Sequence, residues 1–171
     1  IIASLLFVDD VHFDAAFNGE SLGRVPDGSG RLVPTASRTL GSENSVARVG
    51  PLVINEVNYN PALPTATDLL IDPNLQSNDL EFIEVFNPTG QTVDLSNWRL
   101  RGGVDYNFLT GTTIGAGHAL TVVSFDPSSV ANTDRVAAFR AHYGIDGSVE
   151  LVGGYQGQLN DGSERITLQR A

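Results

Sequence analysis

The chain has 171 residues, 41% of them hydrophobic, and carries 20 acidic against ten basic residues for a formal net charge of −10, with no cysteine. Its length suits one ordinary domain, or one domain plus an arm, with a core that needs no covalent staple, and the missing cysteine excludes disulfides and thiolate metal sites. Every basic residue is Arg, and none cluster. Nucleic acid is therefore not an expected partner, nor is membrane insertion expected, because no apolar run approaches the ~18 residues of a spanning helix.

The opening run "IIASLLFVDDVHF" reads as a strand, with Ile1, Ala3, Leu5, Phe7, Val11 and Phe13 on one face and Asp9 as the exception. It is too short, and lacks the basic flank, for a signal peptide. Residues 18 to 50 hold many Gly, Ser, Pro and Arg residues with little periodicity, and read as irregular chain with a turn at "PDGSG". "LVINEVNYNP" (52 to 61) is a strand ended by Asn-Pro, and "ALPTATDLLIDPNLQSND" is a polar loop. "LEFIEVFNPTG" (80 to 90) is apolar on both faces, as a central strand would be. "QTVDLSNWRLRGG" places Val93 and Leu95 on one face and holds the only Trp, Trp98, while "YNFLTGTTIGAGHALTVVSFDP" gives two short strands around a glycine turn. A helix is expected over "TDRVAAFRAHYG", capped by Thr133 or Asp134, striped by Val136, Phe139 and Tyr143, and stopped by Gly144. The chain closes with a turn at "NDGS" and a strand in which Ile166 and Leu168 alternate with Arg165, Thr167 and Gln169. Many short strands, Gly/Pro/Asn turns and one connecting helix imply an all-β antiparallel sandwich. A doubly wound α/β fold would need helices between most strands.

The chemistry-bearing residues point away from catalysis. His12, His118 and His142 have no ligand spacing, and no GxSxG elbow is present. Glu81 and Glu84, three apart on a strand, fall on opposite faces and cannot act as an acid/base pair; Glu56 and Glu84 are expected to bond backbone or turn groups. Trp98, which with Tyr59 and Tyr106 could make a ligand platform, reads rather as core. In "DPNLQSNDLE", Asp72, Asn74 and Asp79, joined by Asp68, make a candidate calcium loop, although the sixth-position glycine is missing and the twelfth residue is Ile83. A solvated acidic loop is the competing reading, and no other cofactor is expected.

"LVINEVNYNP", the polar gap, "EFIEVFNPTGQTVDLSNWRLRGG", "GTTIGAGHALTVVS" and "GGYQGQLNDGSERITL" together resemble a bacterial lamin-tail domain over residues 51 to 171. The resemblance implies an immunoglobulin-like sandwich. It also implies that the Ser-Glu-Arg-Ile-Thr-Leu strand is followed by one more strand, a Ser-Leu-x-Arg run with a Pro-Asp-Gly turn, and a Thr-x-Gly-x-x-Asn exit. Here such pieces are "FVDDVHFD" (7 to 14), "SLGRVPDGSG" (21 to 30) and "TLGSEN" (39 to 44), so residues 1 to 49 resemble the closing third of the domain, placed first.

A sandwich without its last strand exposes unpaired backbone groups beside an apolar face. The leading strand can close its own chain as a permuted monomer, or enter a neighbouring molecule as in donor-strand complementation. It can also finish the preceding unit of a tandem array, which the absence of Met would suit. The preferred expectation is a non-enzymatic bacterial structural module, extracellular or on the cell surface. It partners with itself head-to-tail in a fibre or array, through Ile1, Ala3, Leu5, Phe7, Val11, Phe13, Arg24, Ile166 and Leu168, with residues 14 to 50 as tether. The alternative is an accessory adhesion or ligand-binding module of a larger secreted protein. DNA binding by analogy with nuclear lamin tails conflicts with the charge.

Overall fold

The computed structural model describes residues 9–11, 13, 16, 18–48, 50–160 and 162–170. The chain divides into two compact units, Ile1–Gly50 and Pro51–Ala171.

In the first unit, β1 (Leu22–Val25) and β2 (Arg31–Pro34) form an antiparallel hairpin in the register Leu22 to Pro34 and Val25 to Arg31. The Gly30 N–H donates to the Pro26 carbonyl at 2.8 Å, closing the turn. Residues 46 to 48 run back along the hairpin: Ala36 N–H donates to the Val46 carbonyl, Arg48 N–H to that of Pro34, and Thr35 bridges Ala47. The expected irregular stretch is thus partly ordered. The sequences Leu-Gly-Arg-Val and Arg-Leu-Val-Pro do not alternate apolar with polar residues, and backbone bonding rather than apolar alternation builds these strands. Among the described residues of this unit, no apolar side chain is buried. Of the expected leading strand, residues 1–8 and 12 lie outside the described residues; Val11 and Phe13 are in no strand and are exposed.

The second unit is a sandwich. One sheet has the order β10 (Leu151–Gly153), β9 (Ala119–Val123), β4 (Phe82–Phe86), β3 (Val53–Asn58). The other has the order β11 (Gln156–Gly157), β7 (Val104–Asn107), β6 (Arg99–Gly102), β12 (Ile166–Gln169), and β5 (Val93–Asp94) pairs with β8 (Thr113–Ile114) beside them. All pairings are antiparallel except β9–β10. Alternate residues of the two sheets, among them Ile83, Val85, Leu120 and Val122 from one and Leu100, Val104 and Tyr106 from the other, meet in the main core with Trp98. The Trp98 position agrees with its reading as core.

The opposite face of β4 and β9 is also covered. Phe82 and Val123 pack with Phe139 and Ala138 of α2 (Thr133–Tyr143) in a second cluster. Burial on both faces explains why residues 82 to 86 do not alternate. Gly144, at φ 63°, ends α2 as expected, but its N-cap is Asn132, one residue before Thr133 and two before Asp134, after a 3-10 turn at Val130–Asn132. The expected polar loop contains α1 (Ala66–Ile71) and a 3-10 turn at Ser77–Leu80. Each begins with a capping box, Thr65 with Asp68 and Gln76 with Asp79. These polar residues read as loop formers but serve as helix starts.

Candidate functional site

A sheet edge is a docking surface unless something protects it. Three of the four edges of the two four-stranded sheets carry protection. β11 is two residues long and contains Gly157 at φ 93°. β10 is three residues long, and Arg140 Nη2 donates to the Val149 carbonyl at its entry at 2.9 Å. β3 is bulged between Ile54 and Glu56, with Asn55 and Glu56 exposed. Bulges and charges are the usual edge guards. β12 has four residues, no bulge and no proline, and is paired only with β6 among the described residues.

The β6–β12 register runs from Ile166 opposite Gly102 to Gln169 opposite Arg99. It is pinned at both ends. Arg99 Nε donates to Gln169 Oε1 at 2.8 Å. Gly102 sits at φ 118°, where an added Cβ would lie 1.8 Å from the Arg165 carbonyl oxygen. Beyond the strand, the Arg170 guanidinium lies over the Trp98 ring at 5.9 Å.

Between the β12 end of one sheet and β3 of the other, the sandwich is open. A groove of about 450 Å³ is lined by Ile54, Val57, Tyr59, Glu164 and Ile166, with Asn160, Gly162 and Ser163 along its rim. Ile54, Val57 and Ile166 are half-buried against the main core, and Tyr59 is 45% exposed. Leu168, named with Ile166 from the sequence, also packs on the core but does not line the groove. Arg24 lies in the first unit, where Nη2 donates to both carboxylate oxygens of Asp9 at 3.0 Å and Nη1 to the Gly30 carbonyl at 3.2 Å. Ile1, Ala3, Leu5 and Phe7 lie outside the described residues.

The candidate calcium residues have protein partners. Asp68, 2% exposed, accepts from the Thr65 N–H at 2.7 Å and meets His142 Nδ1 at 2.8 Å through the same oxygen. The His142 hydrogen bond, opposed by burial and reinforced by Thr65, holds its carboxyl below the usual range. Asp72 accepts from the Asn74 N–H at 2.9 Å and from Arg135 Nε at 3.1 Å, and Arg135 also reaches Asp79 at 3.4 Å. Arg135 and His142 of α2 therefore supply hydrogen-bond or ion-pair partners to the carboxylates of Asp68, Asp72 and Asp79. Among the described residues, no group of three His, Asp or Glu side chains is placed to hold a metal ion.

The buried acid in the sandwich is Glu81, 2% exposed, which accepts from the Tyr155 hydroxyl and the Leu159 N–H, each at 3.2 Å. Glu84 accepts from Asn55 Nδ2 at 2.7 Å, a side chain rather than the backbone or turn group expected. Asn87, fully buried, donates to the Gln91, Ile114 and Gly115 carbonyls and organises the turn after β4. Sequence reading missed these joints because their partners lie far along the chain. The one local signal was Asn-Pro-Thr-Gly, a turn-former run at Asn87.

Two sheets packed face to face, with polar residues engaged in joints and turns, define an immunoglobulin-like sandwich module. The family model of the Lamin Tail Domain matches residues 45–171, and the chain belongs to that family. It is a family of structural immunoglobulin-like domains rather than of enzymes. No curated protein matches the chain.

Proposed function

We propose that this lamin-tail chain is a non-enzymatic assembly module that joins copies of itself head-to-tail by β-strand complementation. The observation that carries this reading is β12, which among the described residues is an edge strand without guards beside an open apolar groove. A partner strand there would pair its backbone and cover Ile166 at once. The leading segment supplies such a strand in sequence: it alternates, and its described apolar residues Val11 and Phe13 are 49% and 67% exposed. The first unit buries no described apolar side chain, and a two-stranded hairpin alone is marginal in water, so association would stabilise it.

The tether differs from an extended arm. With residues 21 to 48 folded into a hairpin and its return strand, reach depends on the hairpin unit rather than on contour length. Donor and acceptor are different surfaces, so the contact is heterologous and generates a ring or an open filament. A surface or extracellular setting, and a bacterial source, go with this reading.

Sedimentation velocity over a hundredfold concentration range tests it. The full chain should form concentration-dependent oligomers, and a chain lacking residues 1–13 should sediment as monomer. A full chain that stays monomeric throughout would rule the reading out.

A further inference from the structure

Resting on that reading, we infer that the acceptor is the two-walled groove between β12 and β3, and that its occupant is residues 1–8 of a second copy, running antiparallel to β12. An incoming strand that only paired with β12 would need nothing from the other sheet. Here the wall opposite β12 is built from Ile54, Val57 and Tyr59, whose side chains are left partly open. Side chains on one face of the entering strand would close both sheets over the core.

The length of the occupant follows from Asp9. Position 9 shares the face of Ile1, Ala3, Leu5 and Phe7, so continuing the strand past Val8 would aim a carboxylate at the core, at a prohibitive desolvation cost. Asp9 is instead held by Arg24 of its own hairpin, with two 3.0 Å bonds. The docking strand therefore ends before Asp9. Eight residues span about 26 Å at ~3.3 Å each, enough to run the full length of the four-residue β12.

The antiparallel direction takes Phe7 to the groove and Asp10 to a cation. An antiparallel strand reaches its residue 8 near the start of β12, which brings the exposed Asp10 beside the exposed Arg165. The same direction carries Phe7 to the part of the groove formed by Ile166, Glu164 and Gly162. Opposite charges at the rim tune register more than they add affinity.

The test places p-benzoylphenylalanine at position 7 of the full chain, mixes ¹⁵N-labelled with unlabelled protein, irradiates, and maps the crosslinked peptides. Crosslinks to residues 54–59 or 162–166, with the two halves carrying different isotopes, are the expected result. Three results overturn the inference: crosslinks to other residues, crosslinks only within one isotope, which means self-closure, or none. Sedimentation of the same samples separates the two levels. Oligomers with crosslinks elsewhere leave head-to-tail assembly standing and remove the groove, whereas monomers at all concentrations remove both.

Discussion

At the residue scale, the most consequential side chain away from the groove is Asp68. It caps α1 and fastens that helix to α2 through His142, so one carboxylate serves a local and a long-range contact. Asp68→Asn should cost about 1–3 kcal/mol at neutral pH, a cap plus a charged hydrogen bond, read as a fall of several degrees in Tm. The pH dependence has a definite sign. The folded carboxyl titrates lower than the unfolded one, so its contribution is complete above pH ~4 and is lost as pH falls through the folded value. Acid melting curves should therefore show a smaller pH slope below pH 4 for Asp68→Asn than for the natural chain. Tyr143 gives the opposite limb. Burial, followed by the lesser and opposing effect of the Asn58 hydrogen bond, pushes its hydroxyl up to about 12. That hydroxyl donates to the Leu80 carbonyl at 2.6 Å. A raised folded value means stability present below pH ~10 and lost as pH rises toward 12. Ultraviolet titration should show this phenol ionising with unfolding, and Tyr143→Phe should flatten the alkaline fall in Tm.

At the element scale, β12 owes its position to the residue opposite it. Gly102 is the one residue type that fits there, because its φ of 118° and the Arg165 carbonyl leave no space for a Cβ. Gly102→Ala should destabilise the second unit by about 2–3 kcal/mol and raise amide exchange of residues 166–169 more than that of β4. An equal rise in both strands would contradict this local account. The same element shows what the sequence made legible. Ile166 and Leu168 alternate clearly, so the strand was readable, but its status as an edge depends on pairing with Arg99–Gly102, some 65 residues earlier. Similarly, β4 announced itself by apolar residues on both faces, while the helix at Ala66–Ile71 did not. Its six residues are too few for a helical period, and its N-cap used the residue types that also make loops. The hairpin at residues 22–34 was hidden because its two strands do not alternate apolar with polar residues.

At the scale of the whole molecule, the sandwich and the family were legible because local motifs are dense in residues 51 to 171: turn formers at fixed offsets and short alternating runs. The groove was not, since its walls come from Ile54–Tyr59 and Asn160–Ile166, which only the folded chain brings together. The acidic residues near α1 show the converse problem. As a string they matched the oxygen spacing of a cation loop; in three dimensions Arg135 and His142 face them. Calorimetric titration with calcium should give no saturable heat at micromolar to millimolar metal, and removing the Arg135 cation by Arg135→Gln should lower Tm by a few degrees through the loss of two partly buried ion pairs.

The unequal treatment of the sheet margins has one more consequence. If only one margin is receptive and only one segment fits it, every open aggregate has a plug at one tip and a socket at the other. A shortened chain missing its first thirteen residues keeps the socket alone. Added sparingly, it would stopper the tip that presents a free plug and leave the opposite tip growing, so mean length should respond to the dose of stoppers while the rate of extension at the other end stays constant.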